Sequence, residues 1–200
     1  MSQTYCGIDF GTTNSSVAIS DGQNVRVLEL DPSNNNPTSL PSLLYISKDG
    51  EHIVGRDAAN TFIERNVDRE VIVKQVDLGI HIQGYVGGEG DNDYGNIQRK
   101  DSFDFTEAVN AKAMVEVNSP GRLFQSLKTL LRMKEFKGTE VFGTNYQIEE
   151  LTAIILKRIK NEVDRQAGHS VESAVFGRPV RFSTRENENK IAERRLETAA

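Results

Sequence analysis

The chain has 200 residues, 37% hydrophobic and 26% charged, with a net charge of −5. That is enough apolar material for one substantial globular domain, and the acidic balance argues against a nucleic-acid partner, which rewards clustered Lys and Arg. No stretch approaches the roughly 18 apolar residues of a membrane span, and Met1–Thr4 opens no secretory signal.

In chain order, Tyr5–Phe10 reads as a strand, its apolar approach Tyr5–Ile8 ending in Asp9. Gly11-Thr12-Thr13-Asn14 is a tight turn, and the chain returns through Ser16–Ser20. A glycine at such a bend lets backbone N–H groups approach a ligand closely. Two hydroxyls and several amides then converge on one concavity suited to phosphate oxygens. The Asp9 carboxylate suits a hydrated Mg²⁺ riding on those phosphates. The plainer alternative is an ordinary hairpin whose polar turn faces water. Cys6, the single cysteine, cannot pair within the chain and is expected in the first strand as a small buried hydrophobe. With no histidine near it in sequence, a catalytic thiol lacks its activating partner. A reducing, cytoplasmic setting is expected.

Asp21-Gly22 signals a second hairpin into Val25–Leu30, giving an antiparallel meander. Pro32, Pro37 and Pro41 bracket a loop, Leu43–Ile46 is a strand, Lys48-Asp49-Gly50 a turn, and Arg56–Asn66 has helical spacing. Val71–Val73 and Ile80–Ile82 favour strands around a Gly-, Asn- and Asp-rich stretch from Gly84 to Lys100. That stretch spells no Walker loop, and its Asp91-Asn92-Asp93 lacks the Glu of a calcium loop, since Ser102 stands there. Ala113–Val117 reads as a strand, and a helical stretch is expected from Leu123 to Met133.

The clearest helix is Gln147–Gln166, where Ile148, Leu151, Ile155, Ile159 and Val163 recur every three or four residues. Asn145 suits its N-terminal cap and Gly168 its stop. Ser173–Phe176 is a buried-strand candidate, and a final polar helix begins near Ser183 or Thr184. A long helix between strands implies a crossover onto a parallel neighbour. The expected fold is therefore α/β, a mixed five-stranded sheet with flanking helices. His52, His81 and His169 have no ligand spacing, and no metal site is expected from them.

Gly7-Ile8-Asp9-Phe10-Gly11-Thr12-Thr13-Asn14 resembles the first phosphate-binding hairpin of the 70-kDa heat-shock chaperone family, within the actin and sugar-kinase superfold. Leu40–Tyr45 is similar to the family's Thr-Pro-Ser segment, and Val54–Ala59 to its Val-Gly-x-x-Ala segment. Ser126–Leu131 resembles the segment carrying the family's catalytic lysine, which places that role on Lys128, with Arg132 and Lys134 close by. Hydrolysis of a γ-phosphate spreads negative charge that a positioned cation can meet. The competing reading makes Lys128 a solvated charge on an amphipathic helix. Ala174–Val180 is similar to the strand whose proline, here Pro179, relays nucleotide state to the other domain. The family's arginine eight positions on is replaced by Asn187, with Arg181 and Arg185 out of register, so a divergent member is expected.

The resemblance implies a ribonuclease-H-like lobe over residues 1–200, with an inserted small subdomain at roughly 40–118. It implies ATP or ADP with Mg²⁺ as cofactors, bound by Gly11, Thr12, Thr13 and Asn14. Asp9 would hold the metal through water, and Asp9, Thr12 and Lys128 would serve catalysis. The resemblance further implies a second lobe and a client-binding C-terminal region outside this sequence. The parent is thus expected to hydrolyse ATP and to engage unfolded or client protein, while this fragment is expected to be inactive. A sugar or acid kinase, an actin-like scaffolding protein, or a lobe that kept the fold and lost hydrolysis remain alternatives, because fold does not settle function.

Overall fold

Residues 4–85, 106–177 and 186–200 are described in a computed structural model. They form two compact units, one of the segment up to Arg69 with the segment from Pro120 onward, the other of Glu70–Ser119.

The first unit opens with β1 (Tyr5–Phe10) and β2 (Asn14–Ser20), antiparallel, with Phe10 opposite Ser15 and Tyr5 opposite Ser20. Cys6, Ile8 and Phe10 are buried while Tyr5, Gly7 and Asp9 face outward, the period-two alternation of a half-buried sheet. At the next bend the Asp21 carboxylate accepts the amides of Gln23 and Asn24, at 2.9 and 2.8 Å. β3 (Val25–Val27) is shorter than the expected Val25–Leu30. Leu28 still donates its amide to the Val17 carbonyl, but the Leu30 amide turns to Pro37, so the second half of this apolar run fills the core without joining a ladder.

β4 (Leu40–Pro41) pairs with β2, placing Asn14 against Pro41 and Ser15 against Leu40. β5 (Leu43–Ser47), the expected strand, pairs with β6 (His52–Val54) as a hairpin around the turn expected at Lys48-Asp49-Gly50. α1 (Arg56–Asn66) follows with the boundaries its spacing gave. Its first turn is capped from a distance, the Arg56 amide donating to Asp31 Oδ2 at 2.7 Å.

The second unit is a hairpin of β7 (Val73–Tyr85) and β8 (Thr106–Glu116), with a bulge between Asp77 and His81. Asn118 closes its base, accepting the Ile72 amide and donating to the Glu70 carbonyl. Much of the Gly84–Lys100 stretch, and Ser102 with it, lies outside the described residues.

Back in the first unit, the expected helix from Leu123 to Met133 is instead β9 (Gly121–Gln125) followed by a single-turn α2 (Leu127–Leu131). β9 pairs with β5 over its whole length, Leu43 opposite Gln125 and Ser47 opposite Gly121. That long-range ladder overrides local helical spacing, and Ser126, at φ 56, makes the break into α2. A short hairpin, β10 (Gly138–Val141) and β11 (Thr144–Gln147), leads into α3 (Ile148–Ala167). Asn145 belongs to β11 and caps nothing; the helix begins with a Gln147–Glu150 capping box, the Gln147 amide donating to Glu150 Oε2 at 2.7 Å. Ile148, Leu151, Ile155, Ile159 and Val163 are all buried, as their spacing required, and Gly168 ends the helix left-handed at φ 76.

β12 (Val175–Gly177) runs parallel to β1, with Gly7 opposite Val175 and Asp9 opposite Gly177. α3 is thus part of a crossover between parallel neighbours. Among the described residues the sheet is mixed and five-stranded, in the order β12-β1-β2-β3 with β4 joined to β2. α4 (Glu186–Ala199) packs on α3 and α2. No helix among the described residues is long and apolar enough to cross a membrane.

Candidate functional site

The β1–β2 turn gathers five of the six site residues expected from the sequence. Thr12, Thr13 and Asn14 are exposed, Gly11 is half-buried, and Asp9 projects outward at the end of β1. The parallel register sets Gly177 beside Asp9, so the carboxyl ends of two parallel strands meet here. Ligands in open α/β sheets bind in this kind of place. The turn is tight: a Cβ built on Gly11 would stand 2.0 Å from the Asn14 carbonyl oxygen. Only a residue without a side chain fits there.

Lys128, the sixth, arrives from far along the chain. α2 carries it inward until it is 7% exposed, with Nζ donating to the Phe10 carbonyl. A lysine so buried is not a solvated helix charge. Burial holds its pKa below the usual lysine value, and the Asp9 carboxylate pulls the other way by stabilising the ammonium. Lys128 and Asp9 therefore share one electrostatic environment across the end of β1. The short helix behind Lys128 is held in turn by Arg195 of α4. That guanidinium donates to the carbonyls of Leu131 and Met133, at 3.1 and 2.9 Å, and pairs with Glu149 at 3.1 Å.

Sequence reasoning missed Ser42. It follows β4, is 4% exposed, and touches the turn twice: its amide donates to the Thr13 carbonyl at 2.7 Å, and its Oγ to the Gly11 carbonyl at 3.1 Å. The signal was present in the Leu40–Tyr45 segment, where a serine follows a proline, but nothing local says what it reaches. Ser15 was also missed. It is 2% exposed behind the turn, and its Oγ has no hydrogen-bond partner among the described residues.

A family profile described as Hsp70 protein matches residues 5–192, nearly the whole chain. The chain belongs to the Hsp70 family. Nucleotide-binding chaperones make up that family, and the mixed α/β architecture of this Hsp70 chain accords with it. The expected relay residue Pro179 lies outside the described residues, as do Arg181 and Arg185. Asn187, which stands where the family pattern has arginine, is on α4 and lines a cavity with Arg132 and Glu186.

Cys6 and two of the histidines of this Hsp70 chain are engaged in local structure. Burial raises the pKa of the Cys6 thiol, Asp164 adds to the rise, and Lys160 opposes it, so the sulfur is held in its unreactive form. His52 hydrogen-bonds the Tyr146 hydroxyl at 3.1 Å, and His169 Nδ1 lies 3.0 Å from the Ala167 carbonyl. Among the described residues, no group of three or more His, Cys, Asp or Glu side chains could hold a metal unaided.

Proposed function

We propose that this chain is the first lobe of an Hsp70-type ATPase domain, ribonuclease-H-like in fold, whose β1–β2 turn holds the phosphates of ATP or ADP. The observation that carries this is the tight, exposed Gly11–Asn14 turn beside an outward carboxylate and a buried lysine ammonium. The exposed hydroxyls of Thr12 and Thr13 supply donors, and Asp9 supplies the anionic oxygen that water-mediated Mg²⁺ binding requires. The donor set fits the cofactor, since a hard cation with oxygen ligands keeps several of its waters.

Bound Mg²⁺ supplies charge neutralisation at the phosphate oxygens. The chain's own residues position the polyphosphate, and Lys128 places a cation next to the turn to meet charge developing on the γ-phosphoryl group. A single lobe leaves the turn open to solvent on the side of Thr12 and Thr13. Phosphoryl transfer depends on positioning and on exclusion of water, so turnover belongs to the whole protein, with its second lobe. In this proposal the parent is a cytoplasmic chaperone-like protein that engages clients through a region beyond this sequence.

The test is calorimetric titration of the chain with ADP, with and without Mg²⁺. Mg²⁺ is expected to tighten ADP binding severalfold in the native chain and to have no effect in Asp9→Asn, while ATP turnover by the isolated chain is negligible. Absence of any nucleotide binding, or binding that ignores both Mg²⁺ and Asp9, would sink the proposal.

A further inference from the structure

We propose that Ser42 is a positioning residue for the phosphate turn, fixing which way its peptide groups point. This rests on the nucleotide reading above and adds to it the device that makes the turn a donor surface. A turn meant for an anion must show N–H groups and keep carbonyl oxygens away, because both the oxygen and the ligand are negative. In a trans peptide the C=O and the following N–H point in opposite directions. Ser42 Oγ pulls the Gly11 carbonyl towards the buried side, which sends the Thr12 N–H outward to solvent. The Ser42 amide holds the Thr13 carbonyl in the same way, turned toward β4 and away from the mouth of the turn.

The neighbouring elements explain why a serine can do this. β4 lies on β2 at Asn14 and Ser15, so the residue following Pro41 is delivered directly beneath the turn. Without the hydroxyl, the Gly11 carbonyl loses the donor that holds it on the buried side, and rotation of the Gly11–Thr12 peptide would aim an oxygen at the phosphate. Lys128 performs the equivalent service one residue earlier, on the Phe10 carbonyl.

The experiment is an amide-resonance titration of the 200-residue chain with millimolar ADP·Mg²⁺, following Thr12 and Thr13. Ser42→Ala is expected to weaken binding about three- to tenfold, the worth of one hydrogen bond, with the β5 amides of Leu44–Ile46 unshifted. Ser42→Thr, which keeps the hydroxyl, restores the native affinity. Native-like binding by Ser42→Ala overturns the positioning role and leaves the nucleotide reading standing. Displacement of the β5 resonances in Ser42→Ala makes the residue a packing element and also overturns the role. A native chain whose turn ignores ADP·Mg²⁺ overturns the nucleotide reading, and this inference with it.

Discussion

Gly11→Ala tests the geometry of the turn against a control in the strand that precedes it, Gly7→Ala. The new methyl would stand 2.0 Å from the Asn14 carbonyl oxygen and 3.2 Å from its carbon, whereas a Cβ on Gly7 meets nothing within 4 Å. Ordinary contact between these atoms requires more than about 3 Å, so the turn must open by about 1 Å. Both neighbours are backbone atoms, which cannot rotate aside as a side chain would. Forcing backbone shifts of this kind costs about 1–3 kcal/mol. For a chain of this size that lowers Tm by about 2–12 °C. Gly7→Ala shares the entropic effect of restricting the unfolded chain without the clash, and should stay within about 0.5 kcal/mol of the native protein. Far-ultraviolet circular dichroism during heating measures both. If the two variants unfold within a degree or so of each other, the turn is not as closed as described and the close-approach argument for Gly11 fails.

Two further outcomes follow from buried polar groups. Lys128 has a folded pKa below its unfolded value of 10.5, so the unfolded chain binds more protons between those two pH values and stability rises with pH across that window. The penalty of burying the ammonium is complete below the depressed pKa and gone above 10.5; Lys128→Met should therefore lack this rise, and denaturant midpoints that run parallel for the two proteins up to that pH would refute it. Ser15→Ala removes a buried hydroxyl that has no partner among the described residues, and is expected to be neutral or to stabilise by about 1 kcal/mol; a clear fall in urea midpoint would mean that the hydroxyl is engaged.

The parts legible in the sequence are those governed by local periodicity. α1 and the buried face of α3 follow from their spacing, and β1 and its turn from alternation ending in glycine and threonine. The largest misreading has a long-range cause. Leu123–Gln125 falls within the stretch that reads locally as helical, yet the five pairings of Gly121–Gln125 to β5 decide its conformation, and no local pattern encodes a partner more than seventy residues away. The site divides in the same way. Asp9 to Asn14 is continuous in sequence and visible there. Ser42 reaches Gly11 from 31 positions along, and Lys128 reaches Phe10 from 118, so their hydrogen bonds to the turn exist only once the sheet has closed. The Asn145 cap failed for a smaller reason: the β10–β11 hairpin claims that residue, and the capping box falls to Gln147.

The grip of Arg195 on α2 bears on where such a lobe can be trimmed. The family match stops at residue 192, three positions before this arginine. A shortened protein cut at that limit would strip the donor from the Leu131 and Met133 carbonyls and leave Glu149 without its cation. A piece that keeps the Lys128 helix anchored therefore has to reach past Arg195, beyond the boundary that sequence similarity alone would draw.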